Sequence, residues 1–181
     1  MSTPEEIVLI SRVLLANDER AFARLMKRYL RPVRRYFLVQ TGGNEALSDD
    51  LTQETFIRAW KGMDSYKRLS AFGTWLYRIA YNTYQNHLRG ARHHLSLDDE
   101  HLFPILQTLT VEADHDAEQV VSLHRAIAQL SERERTCITL FYLEEMSVKE
   151  IAAVTSMSEG SIKTALHRGR NHLRTLLTET I

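Results

Sequence analysis

The sequence predicts an all-α fold: two small helical domains joined by a flexible acidic linker, the C-terminal one a helix-turn-helix. Three observations carry this reading. Apolar residues recur at helical spacing along most of the chain, and strand-like alternation is rare. Only three prolines interrupt 181 residues. From Gly90 to Asp116 the periodicity fades and the chain turns acidic. A connection of that length without its own structure is uncommon inside one compact domain. The expected division is 1–92, a linker at 93–116, and 117–181.

A first helix is expected from Pro4 to Ala16, with Asn17-Asp18 as the break and Asp18 as the next N-cap. The second runs on to about Val39, with Phe22, Leu25, Met26, Tyr29, Val33 and Phe37 on one stripe. Pro32 is expected to kink it. Thr41-Gly42-Gly43-Asn44 reads as a turn. Ser48 is the expected cap of a third helix reaching Lys61, where Asp49 and Asp50 suit the positive N-terminal end. The loop from Asp64 to Ser70 leads into a fourth helix from Ala71 to about Arg89. Beyond the linker, helices are expected at about 117–130, 132–144, 147–155 and 159–177.

The last two form the clearest motif. Ser147-Val148-Lys149-Glu150 has the capping-box pattern, a serine followed three residues later by a glutamate. Ile151, Ala152 and Val154 supply apolar contacts for a short helix, and Ser156-Met157-Ser158 supplies the turn. In the following helix Ile162, Leu166, Leu173 and Leu176 face inward. Lys163, Thr164, His167, Arg168, Arg170 and Arg174 lie on the other side, and the small residues Gly160 and Ser161 permit close approach at its start. A groove-reading helix needs such a division, with one face buried on its own domain and donors projecting from the other. Arginine donates in pairs to guanine, and basic side chains neutralise phosphates.

The formal net charge is zero, which is the wrong statistic for this chain because its charges are segregated. Seven basic residues and no acid lie between Arg20 and Arg35. Phe56 to Leu95 holds seven basic residues against Asp64 alone. Ser96 to Val120 holds seven acids and no lysine or arginine. No apolar run approaches the roughly 20 residues that span a bilayer. The start MSTPEEIVLI lacks a signal-peptide pattern. Cys137 is the only cysteine, so no internal disulfide is possible. These features lead to an expectation of a cytoplasmic protein without direct membrane insertion.

Two further surfaces stand out. On the fourth helix Phe72, Trp75, Leu76, Ile79, Ala80 and Thr83 make an apolar stripe. Tyr77, Arg78, Tyr81, Asn82, Gln85, Asn86 and Arg89 make the remaining face. Aromatic rings beside basic and amide groups suit stacking on single-stranded bases, and an exposed polar face with incidental tyrosines fits equally well. On the third helix Asp50, Gln53, Glu54 and Ile57 share a face with Trp60 at its edge. A small acidic patch beside apolar surface, within a basic domain, suits a basic protein partner.

Together these segments resemble a known family. Asp50-Leu-Thr-Gln-Glu-Thr-Phe-Ile-Arg-Ala-Trp60 and Phe72-Gly-Thr-Trp-Leu-Tyr-Arg-Ile-Ala-Tyr-Asn82 resemble the second conserved region of bacterial sigma factors. Leu130-Ser-Glu-Arg-Glu-Arg135, Ser147-Val-Lys-Glu-Ile-Ala152 and Ser158-Glu-Gly-Ser-Ile-Lys163 through His167-Arg168 resemble their fourth. A chain with only these two regions is similar to the extracytoplasmic-function group of the sigma-70 family. The resemblance implies a transcription initiation factor, not an enzyme, that needs no cofactor and no metal. It implies that Asp50, Gln53, Glu54, Ile57 and Trp60 bind core RNA polymerase, at the clamp helices of its largest subunit. It implies that the loop Tyr66, Lys67, Arg68, Leu69, Ser70 and Ala71, with Asn82, holds a base flipped from the −10 element, while Tyr77 and Arg78 guide the backbone. Ser161, Lys163, Thr164, His167, Arg168 and Arg170 then read the −35 element as duplex. The acidic linker would occupy the RNA exit path of the polymerase. Ala165 takes a place that is often basic, which removes one phosphate contact. An anti-sigma factor is an expected partner, because the chain shows no sensor domain.

Two other readings compete with this one. A sigma-like decoy that titrates an anti-sigma factor without binding DNA would lack a basic recognition face, and Lys163, Arg168 and Arg170 argue against it. A metal-dependent hydrolase would draw on His93, His94, His101 and His115, which lack helical His-x-x-x-His spacing and a Gly-rich phosphate loop.

Overall fold

A computed structural model describes residues 3–94, 123 and 126–178, and all regular structure among them is helical. Helix α1 is Pro4–Ala16. Thr3 caps it by accepting a hydrogen bond from the Glu6 amide, and Asn17 ends it in the left-handed conformation, at φ 48°. Helix α2 is Glu19–Gln40, and the Asp18 carboxylate accepts from the Ala21 amide at its start. The helix continues through Pro32. It buries Leu25, Val33, Tyr36 and Phe37 against Leu9, Ile10 and Val13 of α1 and against the helices that follow.

Helix α3 is Glu45–Lys61. Its cap is Asn44, not the expected Ser48: the Asn44 side chain accepts from the Leu47 amide at 3.0 Å. Ser48 lies one turn inside, buried, and donates to the Asn44 carbonyl at 2.6 Å. Both residues have capping chemistry, and the earlier one captures the helix start. A single 3₁₀ turn, Met63–Ser65, leads to the exposed loop before α4, Phe72–His94. Helix α4 thus runs past the expected end at Arg89 and through Gly90. A Cβ at Gly90 would meet nothing within 4 Å, so glycine there costs the helix only its propensity, about 1 kcal/mol.

The acidic linker and most of the expected helix at 117–130 lie outside the described residues. The chain resumes with Ala126, Ile127 and Leu130 buried. Helix α5, Glu132–Ile138, opens with a capping box between Ser131 and Glu134. The expected single helix over 132–144 is divided, because Thr139–Leu143 forms one π turn, closed by a hydrogen bond from the Glu144 amide to the Thr139 carbonyl. Helix α6 is Val148–Thr155, with the Ser147–Glu150 box in place. Ser156, at φ 60°, turns the chain into helix α7, Glu159–Thr178.

Helices α1 to α4 pack around Phe37, Leu51, Phe72 and Leu76, and α5 to α7 pack around Leu140, Ile151, Val154 and Ile162. The two halves touch. Helix α6 lies along α4, and α5 meets α2. The buried apolar residues of both halves form one contiguous cluster.

Candidate nucleic-acid interface

The recognition half is built on α6 and α7. The Ser147 hydroxyl receives the Glu150 amide at 3.3 Å while the Glu150 carboxylate accepts from the Ser147 amide at 2.9 Å. The hydrogen bonds that this carboxylate accepts from the Ser147 amide and hydroxyl hold it below its ordinary pKa. At the next helix start the Ser158 hydroxyl accepts from the Ser161 amide at 3.2 Å and so caps α7.

Helix α7 buries Ile162, Leu166 and Gly169 and exposes Ser161, Lys163, Thr164, His167, Arg168 and Arg170. Leu173 and Leu176 are only half-buried. Lys163 and Arg168 have no hydrogen-bond or ion-pair partner among the described residues. Thr164 donates to the Gly160 carbonyl, His167 pairs with Asn171 at 3.1 Å, and Arg170 donates to the Tyr142 hydroxyl at 3.3 Å. The face therefore carries two untethered cations and one, Arg170, held against the π turn.

One expectation is corrected on this helix. Ala165 is 4% exposed and packs into the core, so it leaves no gap in the outer row. A basic side chain there would have to bury its charge. Gly169 is a contact that the sequence reading passed over. A Cβ on it would lie 2.8 Å from Ile138 Cγ1. Only glycine lets α7 approach α5 this closely.

In the N-terminal half Lys67, Arg68, Leu69 and Ser70 are exposed, and Leu69 is 90% exposed. Arg68 adopts φ 57° and donates to the Ser11 hydroxyl at 2.8 Å, tying the loop to α1. Tyr66 corrects the expectation of a contact residue. It is buried, with its ring 5.4 Å from Phe72 and 5.3 Å from Trp75, and its hydroxyl donates to the Ser70 carbonyl at 2.9 Å. Burial raises its pKa. Tyr66 braces the loop from beneath while Ala71, half-buried, closes it.

Helix α4 carries a second correction. Arg78, Asn82, Asn86 and Arg89 form an exposed row at helical spacing. Tyr77 does not join it, being 3% exposed. Its ring stands edge-on to Tyr36, and its hydroxyl donates to the Glu144 carboxylate of the other half. Burial, with the Glu144 charge, raises its pKa. Gln85 is likewise engaged, donating to Glu132. Periodicity assigns these residues to the outer face because it cannot register a second domain lying on it.

On α3, Asp50, Gln53, Glu54 and Ile57 are exposed, and Ile57 is 47% exposed. Trp60 is half-buried with its ring 4.8 Å from Phe22. Arg58 donates to Glu54 at 2.6 Å and Arg34 to Asp49 at 2.6 Å. The unpaired negative charge of this face therefore centres on Asp50. His93 and His94 close α4, whereas His101 and His115 lie outside the described residues.

Residues 24–94 match the family described as Sigma-70 region 2, and residues 121–173 match Sigma-70, region 4. The chain is 30% identical over 148 residues to the ECF RNA polymerase sigma factor SigM of Bacillus subtilis, an alignment covering 82% of this chain and 90% of that one. It is 34% identical over 175 residues to the ECF RNA polymerase sigma-E factor of Escherichia coli, covering 90% and 89%. It is 32% identical to BldN of Streptomyces coelicolor, covering 91% of this chain but only 63% of BldN. Among solved structures it is similar in fold to CnrH, determined with the cytosolic domain of CnrY, at TM-score 0.70 and 22% identity over 97% of this chain and 98% of that one. It is also similar to RpoE of Bartonella quintana, determined with the anti-sigma factor NepR, at TM-score 0.71 and 23% identity over 87% and 96%.

Proposed function

The chain belongs to the extracytoplasmic-function group of the sigma-70 family, and on that footing we propose that it binds core RNA polymerase, directs it to specific promoters and assists strand opening. It acts by binding, without a catalytic step of its own. The observation that carries the DNA-binding part is the pairing of a capped helix-turn-helix with the untethered Lys163 and Arg168 on its second helix.

The labour divides by surface. The α7 face, with Ser161, Lys163, Thr164, His167, Arg168 and Arg170, reads the −35 element as duplex. The exposed loop Lys67–Ser70, held up by Tyr66, and the α4 row of Arg78 and Asn82 take the −10 strand. A flipped base must leave its stack at a cost of a few kcal/mol, so recognition there is coupled to opening. Leu69, wholly apolar and almost fully exposed, suits contact with an unstacked base better than with a phosphate. Asp50, with Gln53, Glu54, Ile57 and the edge of Trp60, presents an acidic and apolar patch to a basic surface of the polymerase. An anti-sigma factor is the regulatory partner, and the cytoplasm is where these partners meet. No helix among the described residues is long and apolar enough to cross a membrane.

Transcription reconstituted with core polymerase tests this. Promoter-specific transcripts, absent with core alone, are the expected result. Their absence despite tight binding of an anti-sigma factor would overturn the reading in favour of a decoy.

A further inference from the structure

The cations of α2 fall into two groups. Arg24 and Arg28 reach Glu5 of α1 at 3.6 and 3.2 Å. Arg34 holds Asp49 of α3 at 2.6 Å, and Arg35 turns to Glu144 at 2.8 Å. Between these flanks runs a line of three others, Arg20, Lys27 and Arg31, all exposed. Their spacing of seven and then four residues puts them on one side of the helix. At about 1.5 Å per residue the line is about 16 Å long. None of the three side chains has an ion-pair or hydrogen-bond partner among the described residues. The acids that border the helix are held by the flanking arginines. Glu19 precedes Arg20, but adjacent helix positions do not face each other.

No other helix among the described residues aligns three unpartnered cations. On α7 Arg170 and Arg174 donate to Tyr142 and Asn171, which leaves Lys163 and Arg168, and Glu159 opens the helix. On α4 the exposed Arg78 and Arg89 are separated by the neutral Asn82 and Asn86.

The chain itself supplies the counter-charge. Residues 96–120 hold seven acids and no lysine or arginine, and outside them basic residues exceed acids by seven. The neutral chain is thus a basic body with an acidic segment attached. That segment lies between His94 and Ala126. The 31 intervening residues reach up to about 100 Å when extended, and a compact body of this length is only about 40 Å across. The whole of α2 is within that reach. Held at both ends, the segment meets the α2 face at an effective concentration of about a millimolar. An anionic partner in trans has to exceed that. Each exposed pair is weak by itself, and salt screens it over about 8 Å. Several pairs must therefore act together, and added salt must undo them.

We propose that the outer face of α2, along Arg20, Lys27 and Arg31, is a docking surface for the chain's own acidic segment, with residues 98–100 and 112–118 supplying the carboxylates. The docked segment shields the three cations from other polyanions, which lowers the non-specific attraction of the free protein for nucleic acid. Neither part depends on the protein being a sigma factor.

A nitroxide placed in the segment through Thr108→Cys tests the docking in the full chain. Native Cys137 is buried and its thiol is pushed up to about 11, so the label goes to the new site. At low salt the amide signals of residues 20–31 should broaden more than those of the α7 face. That excess should vanish in Arg20→Gln/Lys27→Gln/Arg31→Gln. It should vanish also with α2 unaltered at about 0.5 M salt, where the screening length falls to about 4 Å. Circular dichroism checks that the triple variant is folded, and the salt arm stands without it. No excess over α7, or an excess that survives either treatment, overturns the docking. Affinity for a short duplex of random sequence reads the shielding. Replacing the seven acids by Asn and Gln should raise it several-fold. The slope of log affinity against log salt should steepen by up to about 2.7, the value for three added phosphate contacts. In the triple α2 variant the same replacement should have far less effect. An equal gain in both backgrounds would mean general repulsion by the segment and refutes the shielding.

Discussion

Single residues decide how the recognition face works. Arg168 is exposed and untethered, so Arg168→Ala removes a proposed DNA contact and no folding contact. The expected loss of affinity for the −35 duplex is about 1–3 kcal/mol if it reads a base. Titration of both proteins with a duplex and its permuted variants measures this, and unchanged affinity and preference would remove Arg168 from the site. Gly169 works from the opposite side of the same helix. Alanine there gains about 1 kcal/mol of helix propensity. It also drives a Cβ to 2.8 Å from Ile138 Cγ1, and overpacking of that kind costs about 1–3 kcal/mol. The second effect wins, so Gly169→Ala should lower the midpoint of thermal unfolding, and a raised midpoint would show that Ile138 yields freely. Arg168 was legible in the sequence because it sits on the polar side of a regular pattern. Gly169 was not, because its meaning lies in a helix 31 positions earlier, at Ile138.

At the scale of elements, the box from Ser147 to Glu150 was the most legible feature. Ser147 with Glu150 was read directly, since everything a capping box needs lies within four residues. The same local rule misplaced the start of α3, where Asn44 and Ser48 both have cap chemistry. It was also silent on the π turn, which has no sequence signature of comparable strength. The boxes carry a pH dependence. Burial pushes the Glu134 carboxyl up, but hydrogen bonds from Ser131 and His172 leave it lowered overall, and hydrogen bonds from Ser147 lower Glu150. A carboxyl with a lowered folded pKa contributes stability above its unfolded value, here 4.5. That contribution is lost as the pH falls through the folded value. Ser147→Ala removes one box and should cost about 1 kcal/mol near neutrality. As the pH falls below 4.5 the gap in melting temperature should narrow but not close, because the lost hydroxyl cap of the Glu150 amide does not titrate and the amide of residue 147 still holds the carboxylate. Parallel acid slopes for the two proteins would show that the box does not titrate with folding.

At the scale of the molecule, the segregation of charge along the chain already pointed to separate basic and acidic surfaces despite a net charge of zero. The helical class and the order of elements followed from periodicity. The docking of α6 on α4 did not, and it changed the roles of Tyr77 and Gln85 from outer face to domain contact. Pairs such as Arg35 with Glu144 lie more than a hundred residues apart, and no local pattern announces them. Tyr66 changed role for a related reason. The resemblance implied a contact role for it, and only the cluster of Phe72 and Trp75 around its ring shows a brace. The outcome is a protein whose two proposed DNA surfaces differ, the α7 face open and the α4 face partly covered where the two halves pack.

The most direct measurement of the central claim is mapping of transcript 5′ ends from genomic DNA with holoenzyme reconstituted from core polymerase and this protein. Start sites absent with core alone should share two upstream sequence blocks at fixed spacing. Arg168→Ala should weaken use of those sites through the upstream block and Asn82→Ala through the downstream one. Start sites identical to those of core alone, or sites sharing no upstream sequence, would contradict the account.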